Sequence, residues 1–415
     1  MSAGTTVPRP TRTTSGWPGV AVSSIALMLG PSALLATTFG VLSTGLENAT
    51  GWSHSSVAYG STIFSLVVLV TSPLQGYLID RLGGRRLVLV SMPVFALTLC
   101  LLTLTTGSIT VFYLVCAVAA LAGIGLWPGS FMKVVSGWFD RRLGMAFGIV
   151  NAGLAVSVAV IPLLFGRSFA GIGWGTTYVL AGVAVIAVAW PLCWRWLREA
   201  GPDAAGAAGP AERSRLADLV RARPFWISVG VFLVLGIINA AILVHGVAML
   251  QAYGLSQSAA LGAQTLVGIG AIVGRLGGGW LLDRVSVRVV GAVSFVLAAV
   301  YFVILSGAVP DAAPLATICA GLVLGAEFDV LGMLIRRYLG TAVFGRAYGL
   351  AFGAFQAGAA IGSGLLALLL ARTGTFAAGF VALIALCVLA GGAMLLLGPQ
   401  PRPAVGTDAG VEAGS

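Results

Sequence analysis

Charge is scarce in this sequence. Only 9% of its 415 residues are charged, while 58% are hydrophobic; a soluble domain carries about 25% charged residues. A soluble globular fold is excluded, and so is disorder, which needs low hydrophobicity and high charge. Acids are the scarcest: 13 Asp and Glu stand against 23 Lys and Arg, for a net charge of +10, and there are two histidines. The five cysteines (Cys100, Cys116, Cys193, Cys319, Cys387) sit within or beside apolar runs. None of their spacings resembles a metal site or a disulfide framework, so packing is the expected role. No G-x-x-x-x-G-K-[ST] signature occurs, which argues against ATP as a driving force and leaves no cofactor expected.

What is present in excess is long apolar runs and glycine, 58 residues of it. A bilayer core needs about 20 apolar residues per helix. That ruler gives twelve spans: 18–44, 56–79, 88–106, 110–136, 144–166, 176–197, 224–250, 258–282, 289–309, 315–336, 347–370 and 376–397. The runs are continuous rather than alternating, which excludes a β-barrel. Small residues let such helices approach closely in lipid. The polar start MSAGTTVPRPTRTTSG lacks a cleavage site, and the run after it is too long for a signal-peptide core.

The bases explain themselves as topology rather than as a nucleic-acid partner. Nineteen of the 23 fall on one side: in the N-terminal tail, after spans 2, 4, 6, 8 and 10, and in the C-terminal tail. The positive-inside rule therefore predicts both termini in the cytoplasm, as in a bacterial inner membrane. Only one long polar stretch interrupts the spans, 198–223, rich in Gly, Ala and Pro. It reads as a flexible cytoplasmic linker. The expected organisation is a tail 1–17, a six-helix half 18–197, the linker 198–223, a second half 224–397 and a tail 398–415.

The halves echo each other. Gly76-Tyr-Leu-Ile-Asp80-Arg81 ends span 2 and Gly279-Trp-Leu-Leu-Asp283-Arg284 ends span 8, an offset of 203 residues. Met145-Ala-Phe-Gly148 and Leu350-Ala-Phe-Gly353 open spans 5 and 11 at an offset of 205. A six-plus-six duplication is a transporter architecture, with substrate near the midplane between rocking halves.

The run Gly76 to Arg86 resembles the G-x-x-x-D-R-x-G-R-R loop of the major facilitator superfamily, and it recurs in the second half. Asp80 lies at a helix C-terminus, where the dipole disfavours an anion; it needs a basic partner or another helix's N-terminus. Asp80, Arg81, Arg85, Arg86, Asp283 and Arg284 are accordingly gating candidates, headgroup anchoring being the alternative for the arginines. The run Trp138 to Gly148, with Gly274-Arg275 and Gly325-Ala-Glu327-Phe-Asp329, is similar to the monocarboxylate transporters and bacterial oxalate–formate exchangers. That resemblance implies a substrate-binding arginine at Arg275. Two departures stand out: Phe355 occupies the place of the exchangers' second cation, and Ala271 that of an acid found in eukaryotic members. One carboxylate on one arginine is therefore expected, with any proton site elsewhere.

Charges at bilayer depth are costly and mark a pathway or a pair. Arg275 lies eight residues before Asp283, about 12 Å from that helix end and near the midplane. A forked guanidinium suits a carboxylate; a structural pair with Glu327 or Asp329 is the alternative. Those two acids lie at similar depth but about 200° apart around their helix, so they cannot share a face. A carboxyl pulled between burial and a neighbouring arginine is a candidate proton switch. His245 is a further candidate, because histidine titrates near neutral pH. Asn151, Gln264, Phe355 and Gln356 complete the candidate substrate-binding set. Lys133, about 7.5 Å inside span 4, is accounted for by snorkelling.

The chain is thus expected to be an all-α membrane protein of twelve helices in two halves, monomeric, without enzymatic activity. Its expected task is to move a small organic anion, a monocarboxylate first, by alternating access with proton symport or anion exchange. Efflux of amphipathic drugs, using the deep acids with Trp127 and Phe355, remains open. So does a non-transporting sensor, against which stands the short tail 398–415.

Overall fold

The computed structural model describes residues 16–200, 216–309 and 311–399. The ends of both expected tails and the body of the linker lie outside the described residues. Regular structure among them is helical throughout. Twelve helices are long and apolar enough to cross a membrane: α1 Trp17–Ala36, α2 His54–Leu82, α3 Gly84–Leu104, α4 Ile109–Ser136, α5 Leu143–Ile172, α6 Trp174–Trp196, α7 Arg223–Val244, α8 Gln257–Leu282, α9 Val287–Gly307, α10 Ala313–Tyr338, α11 Phe344–Thr373 and α12 Ala377–Leu395. They correspond one for one to the expected spans. Within the expected linker, Leu216–Arg221 forms a short helix, and the Trp226 indole donates to its Val220 carbonyl at 2.7 Å.

Three spans are broken, two of them beside a proline. The α4 span runs as Ile109–Ala122, a tight turn Gly123–Leu126, then Pro128–Ser136. Pro128 forces the residue before it out of the helical region, and Trp127 is extended at φ −84°, ψ 157°. Expected span 1, written as one run to residue 44, breaks beside Gly30-Pro31; a wide turn Ser32–Ala36 and a second helix Phe39–Thr50 follow. Proline there removes a backbone donor and crowds the preceding turn. Expected span 7 breaks at His245 and resumes as Gly246–Ala252.

Within the halves α1 packs on α5, α2 on α4, α7 on α11 and α8 on α10; across them α2 meets α11 and α5 meets α8. The cross-half contacts are glycine to glycine. A Cβ on Gly76 would overlap the Gly345 carbonyl, and one on Gly345 would overlap the Gly76 carbonyl. Gly144 and Gly279 stand in the same reciprocal relation. Both pairs lie at the end of the bundle that carries the arginine-rich loops, so the halves are closed together at that end.

These contacts correct the repeat alignment. Gly345 of α11, not Gly349, occupies the place that Gly144 occupies on α5, an offset of 201 rather than 205. The helix α11 starts one turn earlier relative to the shared Ala-Phe-Gly motif, beginning at Phe344 where α5 begins at Leu143. Sequence similarity aligned the motif; helix packing aligns the first turns.

Candidate functional site

Two carboxylates join the halves at the arginine-rich end. The first backbone N–H groups of a helix have no partner within it, and neither α5 nor α11 has a side-chain cap of its own. The caps come from the opposite half. Asp80, near the end of α2, accepts from the Gly345 and Arg346 N–H groups of α11 at 2.8 and 2.9 Å. Asp283, after α8, accepts from Gly144 and Met145 of α5 at 2.7 and 2.9 Å. Each acid thereby leaves the unfavourable end of its own helix dipole for the favourable end of another's.

Lys133 does not snorkel. Its ammonium donates to Asp80 at 3.4 Å and to the Thr341 carbonyl of the second half. Sequence depth alone could not reveal that an acid and a carbonyl stood within its reach. The other gating candidates act locally. Arg81 donates to Tyr77 and Arg284 to the Trp280 carbonyl, with the Arg284 guanidinium over that indole. Arg85 holds the end of α6 through the Leu197 and Trp194 carbonyls, and Arg86 is exposed.

A second cluster lies deeper, around α10, which neighbours helices of both halves. Arg275 is 6%, Glu327 4% and Asp329 0% exposed. The two acids diverge as their helical angle demands. Glu327 takes the Asn239 amide of α7 at 3.3 and 3.2 Å. Asp329 takes the Asn151 amide of α5 at 2.6 Å, a buried hydrogen bond across the two halves. Between them Phe328 faces Arg275, whose guanidinium carbon is 5.9 Å from the ring centroid.

Among the described residues Arg275 forms no ion pair with either acid, although its charge acts on both. Its Nε and Nη1 are buried without an acceptor. Asp329 Oδ2, Asn151 Oδ1 and the Tyr348 hydroxyl are likewise buried without partners. A buried unsatisfied polar group costs about 1–3 kcal/mol, so this concentration of them asks for an explanation. Around them runs an aromatic wall. Phe344, Tyr348, Phe352 and Phe355 stack in sequence along α11, with Phe328 against Phe355 at 5.3 Å and Trp127 against Phe352 at 5.4 Å. Tyr348 and Phe352 were missed in the sequence, where their spacing along one face of α11 was the available signal.

The remaining candidates stand apart. Gln264 lies eleven residues from Arg275 on α8, about 16 Å along the helix, and donates to the Ile242 carbonyl at 3.0 Å. His245 sits at the break after α7, bonded to the Ser363 carbonyl at 3.1 Å and edge-on to Phe376. Gln356 is partly buried beside Phe355. Among the described residues no group of three His, Cys, Asp or Glu side chains could hold a metal.

The family model described as Major Facilitator Superfamily matches residues 20–339. Among curated proteins, the MFS-type transporter pytF of Aspergillus terreus is 23% identical over 274 residues, covering 63% of this chain and 89% of its own length. Monocarboxylate transporter 2 of Mesocricetus auratus is 22% identical over 175 residues, 42% of this chain and 36% of that one. Multidrug resistance protein D of Escherichia coli is 30% identical over 136 residues, 32% and 33% of the two chains. Among solved structures, the E. coli fucose:proton symporter FucP superposes with TM-score 0.71 over 92% of this chain and 99% of its own, at 15% identity. The proton:xylose symporter XylE does so with TM-score 0.67 at 15% identity, over 93% and 96%.

Proposed function

The chain belongs to the major facilitator superfamily, a family of membrane transporters rather than enzymes, and we propose that it carries a small organic anion, a monocarboxylate first. The observation that carries this reading is Arg275: a guanidinium buried at depth, with two nitrogens lacking acceptors and, among the described residues, no carboxylate paired to it. A guanidinium fork is matched by one carboxylate. Phe328, Phe352, Phe355 and Trp127 give a short apolar tail somewhere to pack, and Tyr348 offers one more hydroxyl. The partial likeness to a monocarboxylate transporter supports the same class.

The two sets of contacts support a cycle of alternating access. The arginine-rich end is the cytoplasmic one, by the charge bias, and the chain resides in a bacterial cytoplasmic membrane with both termini inside. The conformation described is closed at that end by Asp80 and Asp283. Reorientation breaks both caps and, deeper, the Asn151–Asp329 bond. Glu327 stays with Asn239 inside one half, so Asp329 is the acid whose surroundings change, and we assign it the coupling role. Proton symport is the cycle if Asp329 exchanges a proton, anion exchange if it does not.

Drug efflux is a second reading, favoured by deep acids beside aromatic walls and by the partial likeness to Multidrug resistance protein D. Proteoliposome uptake of labelled lactate and pyruvate, run beside a drug-sensitivity panel in cells, separates the two. Saturable uptake lost in Arg275→Gln supports the anion reading. Drug resistance without anion uptake overturns it.

A further inference from the structure

We propose that the arginine-rich end holds a second anion site, separate from Arg275, which binds a soluble phosphate-bearing anion and clamps the halves together. A cavity of about 890 Å³ opens there between the ends of α2 and α4, the stretch after α6 and the loop from α10 to α11. That volume falls in the range of small-molecule sites. Its charged lining is Arg81, Arg86 and Lys133 from the first half, Arg336 from the second, and the acids Asp80 and Glu199.

Both acids are already engaged. Asp80 accepts from two backbone N–H groups and from Lys133, and Glu199 accepts from the Arg85 N–H at 3.0 Å. Two arginines are not so occupied. Arg86 is exposed at the cavity wall, and Arg336 keeps its Nε buried with no acceptor. Arg336 pairs with Asp140 at 3.4 Å, and that carboxylate is 95% exposed. Such exposed pairs are worth little in water, whereas an arginine fork on phosphate makes short, charge-assisted bonds. Donors arriving from several sides suit a phosphate, with oxygens in several directions, better than a planar carboxylate.

Because the donors come from both halves, the site is whole only while this end is closed. A ligand that binds one state shifts the population toward it. The anion therefore slows the cycle from the arginine-rich side without touching Arg275.

The test uses the full chain in phosphatidylcholine nanodiscs, following its melting temperature as inorganic pyrophosphate is added. The wild type and Arg275→Gln should both rise by a few degrees. Arg86→Gln should weaken the response several-fold, and the pair Arg86→Gln/Arg336→Gln should abolish it, while Arg284→Gln, outside the cavity, keeps it. Arg86 is exposed, so its single variant remains readable even if the double variant fails to fold. Repeating the series in discs containing phosphatidic acid separates lipid phosphate from free phosphate. Stabilisation by that lipid that needs Arg86 would support the phosphate site but overturn its soluble ligand. No response of the wild type to pyrophosphate, or a response in Arg86→Gln and the double variant equal to that of the wild type, would overturn the proposal. Loss of the response in Arg275→Gln alone would assign pyrophosphate to the deep site instead.

Discussion

At equal depth the two halves carry different chemistry. Counting 203 residues on, the offset that relates Gly76 to Gly279 and Asp80 to Asp283, the counterpart of Arg275 is Ser72. The Ser72 hydroxyl is satisfied within its own helix by the Val68 carbonyl at 2.6 Å, while two Arg275 nitrogens are satisfied by nothing. At the arginine-rich end, by contrast, the halves do the same thing: each sends one aspartate across to cap the other's helix. Symmetry has been kept where the halves meet at the arginine-rich end and lost around Arg275. On the proposed cycle, the duplicated parts would supply the motion and the departures from duplication the chemistry.

The comparison can be broken first at its point of greatest asymmetry. Arg275→Gln should reduce anion transport at least ~30-fold, since losing one partner of a buried charge pair costs about 2–5 kcal/mol. Ser72→Ala should leave substrate affinity far less altered; equal losses in uptake assays would mean that depth, not Arg275, matters. Next comes the coupling acid. Asp329→Asn should still exchange substrate but fail to accumulate it against a gradient, because a permanently neutral group lets the loaded carrier reorient without its proton cycle. Glu327→Gln, whose partner lies in the same half, should chiefly lower stability or expression. Accumulation that survives in both variants would favour anion exchange.

The symmetric end predicts smaller effects. Asp80→Ala and Asp283→Ala each remove a helix cap worth about 1–2 kcal/mol. Each should move the equilibrium between closed and open arginine-rich ends about 5- to 30-fold toward open. Spectroscopic distances between labels on the two halves would read this, and unchanged distance distributions in both variants would leave the caps without a gating role. Lys133→Met sharpens the difference between the two caps, because Asp80 has this extra partner. A shift of about twofold is expected, since the lysine is partly exposed and its pair partly screened.

How far the sequence reached depended on whether partners were near in the chain. The twelve spans were readable because lipid imposes length and hydropathy on each helix separately. The need of Asp80 for a basic partner or another helix's N-terminus was readable too, from its place at the end of α2, but which partner was not. Lys133 was misjudged for the same reason: its partners Asp80 and Thr341 lie 53 and 208 residues away. The divergence of Glu327 and Asp329 followed from helical angle alone, whereas Asn239 and Asn151 as their partners required helices from both halves. Gln264 and His245 are polar groups in apolar runs, and sequence could not show that the Ile242 carbonyl accepts from the Gln264 amide and that the Ser363 carbonyl lies against the His245 ring.

Equilibrium binding of a labelled monocarboxylate to purified wild type and Arg275→Lys separates recognition by the guanidinium fork from attraction by its charge. Lysine keeps the charge and loses the fork, so binding should weaken about tenfold or more at an unchanged melting temperature. Equal affinity in the two folded proteins would contradict it.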